Sequence, residues 1–206
     1  MKASPKKLLP LTLFGIAVAS LFSIQPAQAF TVTLEQVGAN VVANGSGAIN
    51  LTGLTPNATF SPESVIAANI GAIALGVSSV NVPGYTGFTG RTSFGSGNPF
   101  LADTSSGDFV GITSVSRFGR NIIVPQGYVS GTALSDSATF NNATFASLGV
   151  RQGTFVWSWG TGTGSSNQNF TLIIGSGVPT PDGGSTVSLL GCALLGLAAL
   201  RRKLGC

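Results

Sequence analysis

The chain contains no histidine, and its two cysteines, Cys192 and Cys206, both lie near the C-terminus. Lysine is equally confined to the ends, at Lys2, Lys6, Lys7 and Lys203, so residues 30–177 hold no His, no Lys and no Cys. A serine hydrolase needs a base beside its nucleophile, normally His or Lys, and neither is present in that stretch. The same absence removes cysteine nucleophiles, a disulfide framework and the nitrogen and sulfur ligands that zinc prefers. Charge is scarce too, at 8% of all residues. The formal net charge of +4 arises at the ends, from Lys2, Lys6, Lys7, Arg201, Arg202 and Lys203. Between them Arg91, Arg117, Arg120 and Arg151 face Glu35, Glu63, Asp103, Asp108 and Asp136, which leaves the middle of the chain close to neutral. Nucleic-acid binding relies on clustered Lys and Arg to displace counterions, so no nucleic-acid partner is expected. No cofactor and no metal are expected either.

What is present at the front is a secretory signal. Lys2, Lys6 and Lys7 precede an apolar stretch from Leu8 to Ile24, which ends in Gln25-Pro26-Ala27-Gln28-Ala29. Ala27 and Ala29 are the small residues that signal peptidase reads, so transit through the Sec translocon and cleavage leave Phe30 as the new N-terminus. A retained membrane helix is the plainer alternative for the same segment. Residues 30–177 then have the size of one domain.

Within that domain nearly every segment alternates apolar with polar residues and is broken by Gly, Asn or Pro, the pattern of short half-buried strands. Phe30, Val32 and Leu34 share one face against Thr31 and Thr33. Asn44-Gly45 reads as a hairpin turn between strands at 40–43 and 48–52, because both central turn positions favour positive φ. Further strands are expected over 107–115, 121–129, 154–159 and 169–174. Ser64–Leu75 stays open between helix and strand, since Gly71 and Gly76 weaken a helix and Val65, Ile66, Ile70 and Ile73 suit strands as well. The Ala-Thr-Phe triplets at 138–140 and 143–145 read as one strand and its turn. The expected fold is all-β, an antiparallel β-sandwich or jelly-roll-like domain, with an N-terminal signal peptide and one C-terminal transmembrane helix.

Three stretches of the domain invite a chemical reading. Asp103-Thr-Ser-Ser-Gly-Asp108 is expected to be a solvated turn, with a calcium loop or a glycosidase carboxylate pair as the alternatives. Gly160-Thr-Gly-Thr-Gly164 leads into another strand instead of a helix, so it reads as a hairpin connection and not as a phosphate loop. Phe155, Trp157 and Trp159 lie on one side of a strand. They form either core, packed against Phe170, Leu172 and Ile174, or a platform on which sugar rings stack.

The end of the chain is the most specific part. Val178-Pro179-Thr180-Pro181-Asp182-Gly183-Gly184-Ser185-Thr186 opens into an uncharged apolar run from Ser185 to Leu200, followed at once by Arg201, Arg202 and Lys203. As a helix that run spans about 24 Å, against roughly 30 Å for the hydrocarbon core, a length suited to transient residence in the inner membrane. The basic cluster stays cytoplasmic under the positive-inside rule and places the domain outside. Cys192, inside the run, reads as a small apolar residue.

The three-part tail resembles that of the PEP-CTERM class of bacterial proteins, and most closely the variant with a Val-Pro-Asp-Ser-Gly motif, although Gly183 stands where the variant has Ser. The stretch Val124–Gly131 through Thr154–Gly160 also resembles a domain often found ahead of such tails. The resemblance implies recognition by an exosortase, a polytopic membrane enzyme of Gram-negative bacteria that often make exopolysaccharide. The expected protein is therefore secreted and non-enzymatic, sorted to the cell envelope, cell surface or extracellular matrix. The rival expectation is an exopolysaccharide-binding module that uses Phe155, Trp157 and Trp159.

Overall fold

Phe30, Val32 and Leu34 are buried while Thr31, Thr33 and Glu35 are not, and this period of two draws the first segment out as a strand. The computed structural model describes residues 29–115, 119–160 and 168–175. The signal segment 1–28, the connection 161–167 and the tail with its apolar run 185–200 lie outside the described residues. In chain order the strands are β1 (Ala29–Val37), β2 (Asn40–Ala48), β3 (Thr55–Phe60), β4 (Val65–Ala67), β5 (Ala72–Leu75), β6 (Val82–Thr86) and β7 (Phe88–Gly90). They continue as β8 (Phe100–Leu101), β9 (Thr104–Gly107), β10 (Val110–Thr113), β11 (Asn121–Ile123), β12 (Ala133–Phe140), β13 (Gly153–Trp159) and β14 (Asn169–Ile174).

They form two seven-stranded sheets, ordered β7-β13-β14-β1-β2-β12-β9 and β3-β6-β11-β10-β5-β4-β8. Both contribute to one apolar core: Phe30, Leu34, Phe140, Trp157 and Phe170 from the first meet Ile66, Ile73, Leu75, Ile112 and Ile122 from the second. The all-β expectation holds, but the first sheet is mixed, because β1 runs parallel to β14 with Phe30 opposite Phe170 and Leu34 opposite Ile174. First and last strands thus close side by side at its centre, with β2 antiparallel on the other flank of β1. Among the described residues no helix is long and apolar enough to cross a membrane.

Three expectations change in detail. Asn44-Gly45 is not a turn: β2 runs straight through it, and the chain reverses earlier, at Gly38-Ala39, where Gly38 has φ 60°. Gly45 is required for close packing instead of for turning, since a Cβ there would come within 2.8 Å of the Phe30 ring and would also meet the Asp136 carboxylate. The stretch 64–75 resolves as β4, a 3-10 turn over Ala68–Ile70, and β5. Gly71 ends the turn in the left-handed region at φ 58°, which sends the chain back antiparallel to β4. The continuous apolarity of Ala72–Leu75 reflects a strand, β5, buried on both faces. The strand expected over 121–129 stops at Ile123, because Pro125 has no N–H to continue a ladder. Beyond it the Tyr128 hydroxyl ties the connection down, accepting from the Ile49 N–H at 3.0 Å and approaching the Thr132 carbonyl at 2.8 Å.

Candidate functional site

Three places among the described residues carry side chains able to do chemistry: the aromatic row of β13, the acidic stretch around β9 and a cleft beyond β7. On β13, Trp157 is fully buried and Trp159 is 4% exposed. Trp157 Nε1 donates to the Arg91 carbonyl and to Ser114 Oγ, both at 2.8 Å, and Trp159 Nε1 donates to the Asn50 carbonyl at 2.7 Å. Phe170 crosses Trp157 edge-on, with centroids 6.0 Å apart. The row therefore forms core, and the sugar platform of Phe155, Trp157 and Trp159 is corrected: both indoles are sequestered, and stacking a sugar needs an open ring face. Phe155 alone reaches a surface.

At the β9 edge the stretch expected to be a solvated turn is a short strand, flanked by Asp103 and Asp108 and paired with β12. Asp103 Oδ2 accepts from the Asn141 N–H at 2.7 Å, and Asp108 Oδ2 from the Ser135 N–H at 2.9 Å, so each carboxylate pins β9 to the chain around β12. Between them on β12 lies Asp136, paired with Gly107 on one side and Gly45 on the other and only 5% exposed. Among the described residues neither of its carboxylate oxygens makes a hydrogen bond of good geometry. Burial, reinforced by the negative charge of Asp108 and only partly offset by the nearby Gly45 N–H, pushes its carboxyl up to about 7. Among the described residues no group of three or more His, Cys, Asp or Glu could hold a metal ion.

The third place faces out. Beyond β7 the chain from Arg91 to Ser96 and the chain from Ala146 to Arg151 form the walls of a cleft of about 450 Å³, with Phe155 also lining it. Backbone bonds hold the walls together: Ser96 and Gly97 both donate to the Gly149 carbonyl, at 2.9 and 3.1 Å, and Arg151 donates to the Phe94 carbonyl at 2.8 Å. Phe94 is buried beneath, with its ring centroid 5.9 Å from Phe155 and 6.4 Å from Trp157. The Trp157 indole fixes the Arg91 carbonyl, so both arginine backbones are anchored on the aromatic core while their side chains are exposed. Arg120 Nη2 lies close by, donating to the Gly90 carbonyl at 3.3 Å.

The signals that the sequence marks for processing lie at the ends. Ala29 and Phe30, which flank the bond where signal-peptide cleavage is expected, open β1, where Ala29 is opposite Asn169. Ala27 in front of it, and the whole tail, lie outside the described residues. Comparison with protein-family models matches residues 181–204 to the VPDSG-CTERM motif. The tail is a PEP-CTERM-type sorting signal. The VPDSG-CTERM match takes in Pro181, Asp182, Gly183, Gly184, Ser185 and Thr186, the apolar run and the basic cluster Arg201, Arg202 and Lys203; Val178 and Pro179 precede it. Such a motif implies processing by an exosortase and an exported, envelope-associated protein. No curated protein and no solved structure matches the chain.

Sequence reading did not find the cleft. Arg91 and Arg151 are far apart in sequence, and what joins their segments is an isolated bridge between Gly95 and Val150, which leaves no periodic signature. The only available hint was that four arginines carry all the positive charge of an otherwise near-neutral domain.

Proposed function

We propose that this is a non-enzymatic β-sandwich protein of the envelope, cell surface or extracellular matrix of a Gram-negative bacterium. It is exported by the Sec translocon, held briefly in the inner membrane by its tail, and released through an exosortase. The observation that carries this reading is the VPDSG-CTERM match over residues 181–204. The residues ahead of the apolar run, Pro181-Asp182-Gly183-Gly184, favour an extended or turning backbone that an enzyme at the outer boundary can engage. The cations that follow the run halt translocation. The lack of His, Lys and Cys in the domain supports a non-enzymatic role, as do Asp103 and Asp108, whose carboxylates already serve the backbone.

The test separates the two halves of the signal. In a host with the cognate exosortase, replacing Pro181 and Asp182 leaves insertion intact and strands uncleaved chain in the inner membrane. Neutralising Arg201, Arg202 and Lys203 removes the stop and disturbs orientation instead. Identical fractionation of both variants and wild type would contradict the proposal.

A further inference from the structure

We infer that the cleft between the 91–96 and 146–151 segments binds an acidic saccharide, one bearing a carboxylate on its ring, with Arg91 and Arg151 taking the carboxylate. This goes beyond the sorting reading and does not depend on it. Arg91 and Arg151 line the same cleft, and neither guanidinium is bonded to any described residue. Guanidinium groups are planar forks that match a carboxylate in geometry as well as in charge.

The rest of the lining selects among anions. Thr92, Ser93 and Ser96 present hydroxyls that make no hydrogen bond to another described residue, and Phe155 contributes a half-buried ring. Hydroxyl donors and acceptors suit a polyol, and the ring suits the apolar face of a pyranose. A bare inorganic anion would use the charge and leave both without a role. A volume of about 450 Å³ is within the range of small-ligand sites and accommodates a sugar unit or two. The walls are already bonded to each other through Gly149 and Phe94, so little ordering accompanies binding.

A second copy of the chain is the competing occupant, because this domain also has an acidic region. That region is poorly suited to the role. Asp103 and Asp108 accept backbone N–H groups of their own chain, and Asp136 is buried.

The experiment is titration calorimetry on the full chain in non-ionic detergent, with trigalacturonate as the acidic probe and galactotriose as its neutral counterpart. The inference expects trigalacturonate to bind at least tenfold more tightly than galactotriose. It also expects Arg91→Gln and Arg151→Gln each to weaken that binding at least tenfold with an unchanged melting temperature. Absence of binding, equal binding of the two probes, or affinity indifferent to both substitutions would overturn it. Competition by inorganic phosphate at the same concentration as trigalacturonate would reduce the site to a general anion site and overturn the saccharide assignment. Sedimentation that shows dimers abolished by Arg151→Gln would give the cleft to a second copy instead.

Discussion

The two edges of the first sheet treat their charges in opposite ways. At the β9 edge Asp103 and Asp108 are bonded to main-chain N–H groups, and Asp136 is buried with no partner among the described residues. At the β7 edge, six strands away and roughly 29 Å distant at the usual inter-strand spacing, Arg91 and Arg151 are exposed, and neither guanidinium is bonded to a described residue. The acidic edge uses its charges to hold the fold together. The basic edge has its backbone fixed by Trp157 and Phe94, so its side chains are left for something outside. A domain with so few charges can therefore be read by asking which of them the fold already employs.

That contrast can be broken most forcefully from beneath the basic edge. Trp157→Ala removes a fully buried indole and both of its hydrogen bonds, and should lower stability by about 3–5 kcal/mol. Denaturant melts would show it, and a loss below about 1 kcal/mol would mean that the indole is not a core element. The acidic edge should respond to pH. In the folded chain Asp136 keeps its proton up to about 7, while in the unfolded chain it releases it near 3.8. Stability is then full below the lower value, falls as pH rises through that window, and levels off above it, by an overall amount on the order of 2–4 kcal/mol. Asp136→Asn should flatten the profile between pH 5 and 8 and be the more stable form at pH 8. A wild-type melting temperature that holds level or rises across that range would show that the carboxylate is better accommodated than its surroundings indicate. The smallest effect belongs to the exposed arginines: Arg151→Gln should change stability by no more than about 0.5 kcal/mol. A larger loss would mean that Arg151 serves the fold, and the two edges would no longer differ.

The strands with clean alternation were legible as strands. Phe30, Val32 and Leu34 announce β1, and Phe170, Leu172 and Ile174 announce β14, because one face of each is core and the other is not. Their parallel pairing was not legible, since nothing in a strand's own pattern states which neighbour it takes. Asn44-Gly45 misled because glycine serves two purposes, reversal and close approach, and only the tertiary neighbours, Asp136 and Phe30, show that the second applies. The Phe155, Trp157 and Trp159 row was recognisable as an aromatic face, but its burial depended on Asn50, Arg91 and Ser114 reaching the indole nitrogens from distant segments. The sorting tail was legible for the opposite reason. Its meaning lies in local order, a Pro-Asp-Gly-Gly sequence, then an apolar run, then cations, and no tertiary contact is needed to read it.

We propose that this tail is an address removed on delivery. The most direct measurement is the intact mass of the wild-type protein recovered outside the inner membrane of a host that carries the cognate exosortase. The expected species begins at Phe30 and lacks Arg201, Arg202, Lys203 and Cys206. A protein that keeps Cys206 and stays in the inner membrane would contradict it and make the tail an anchor.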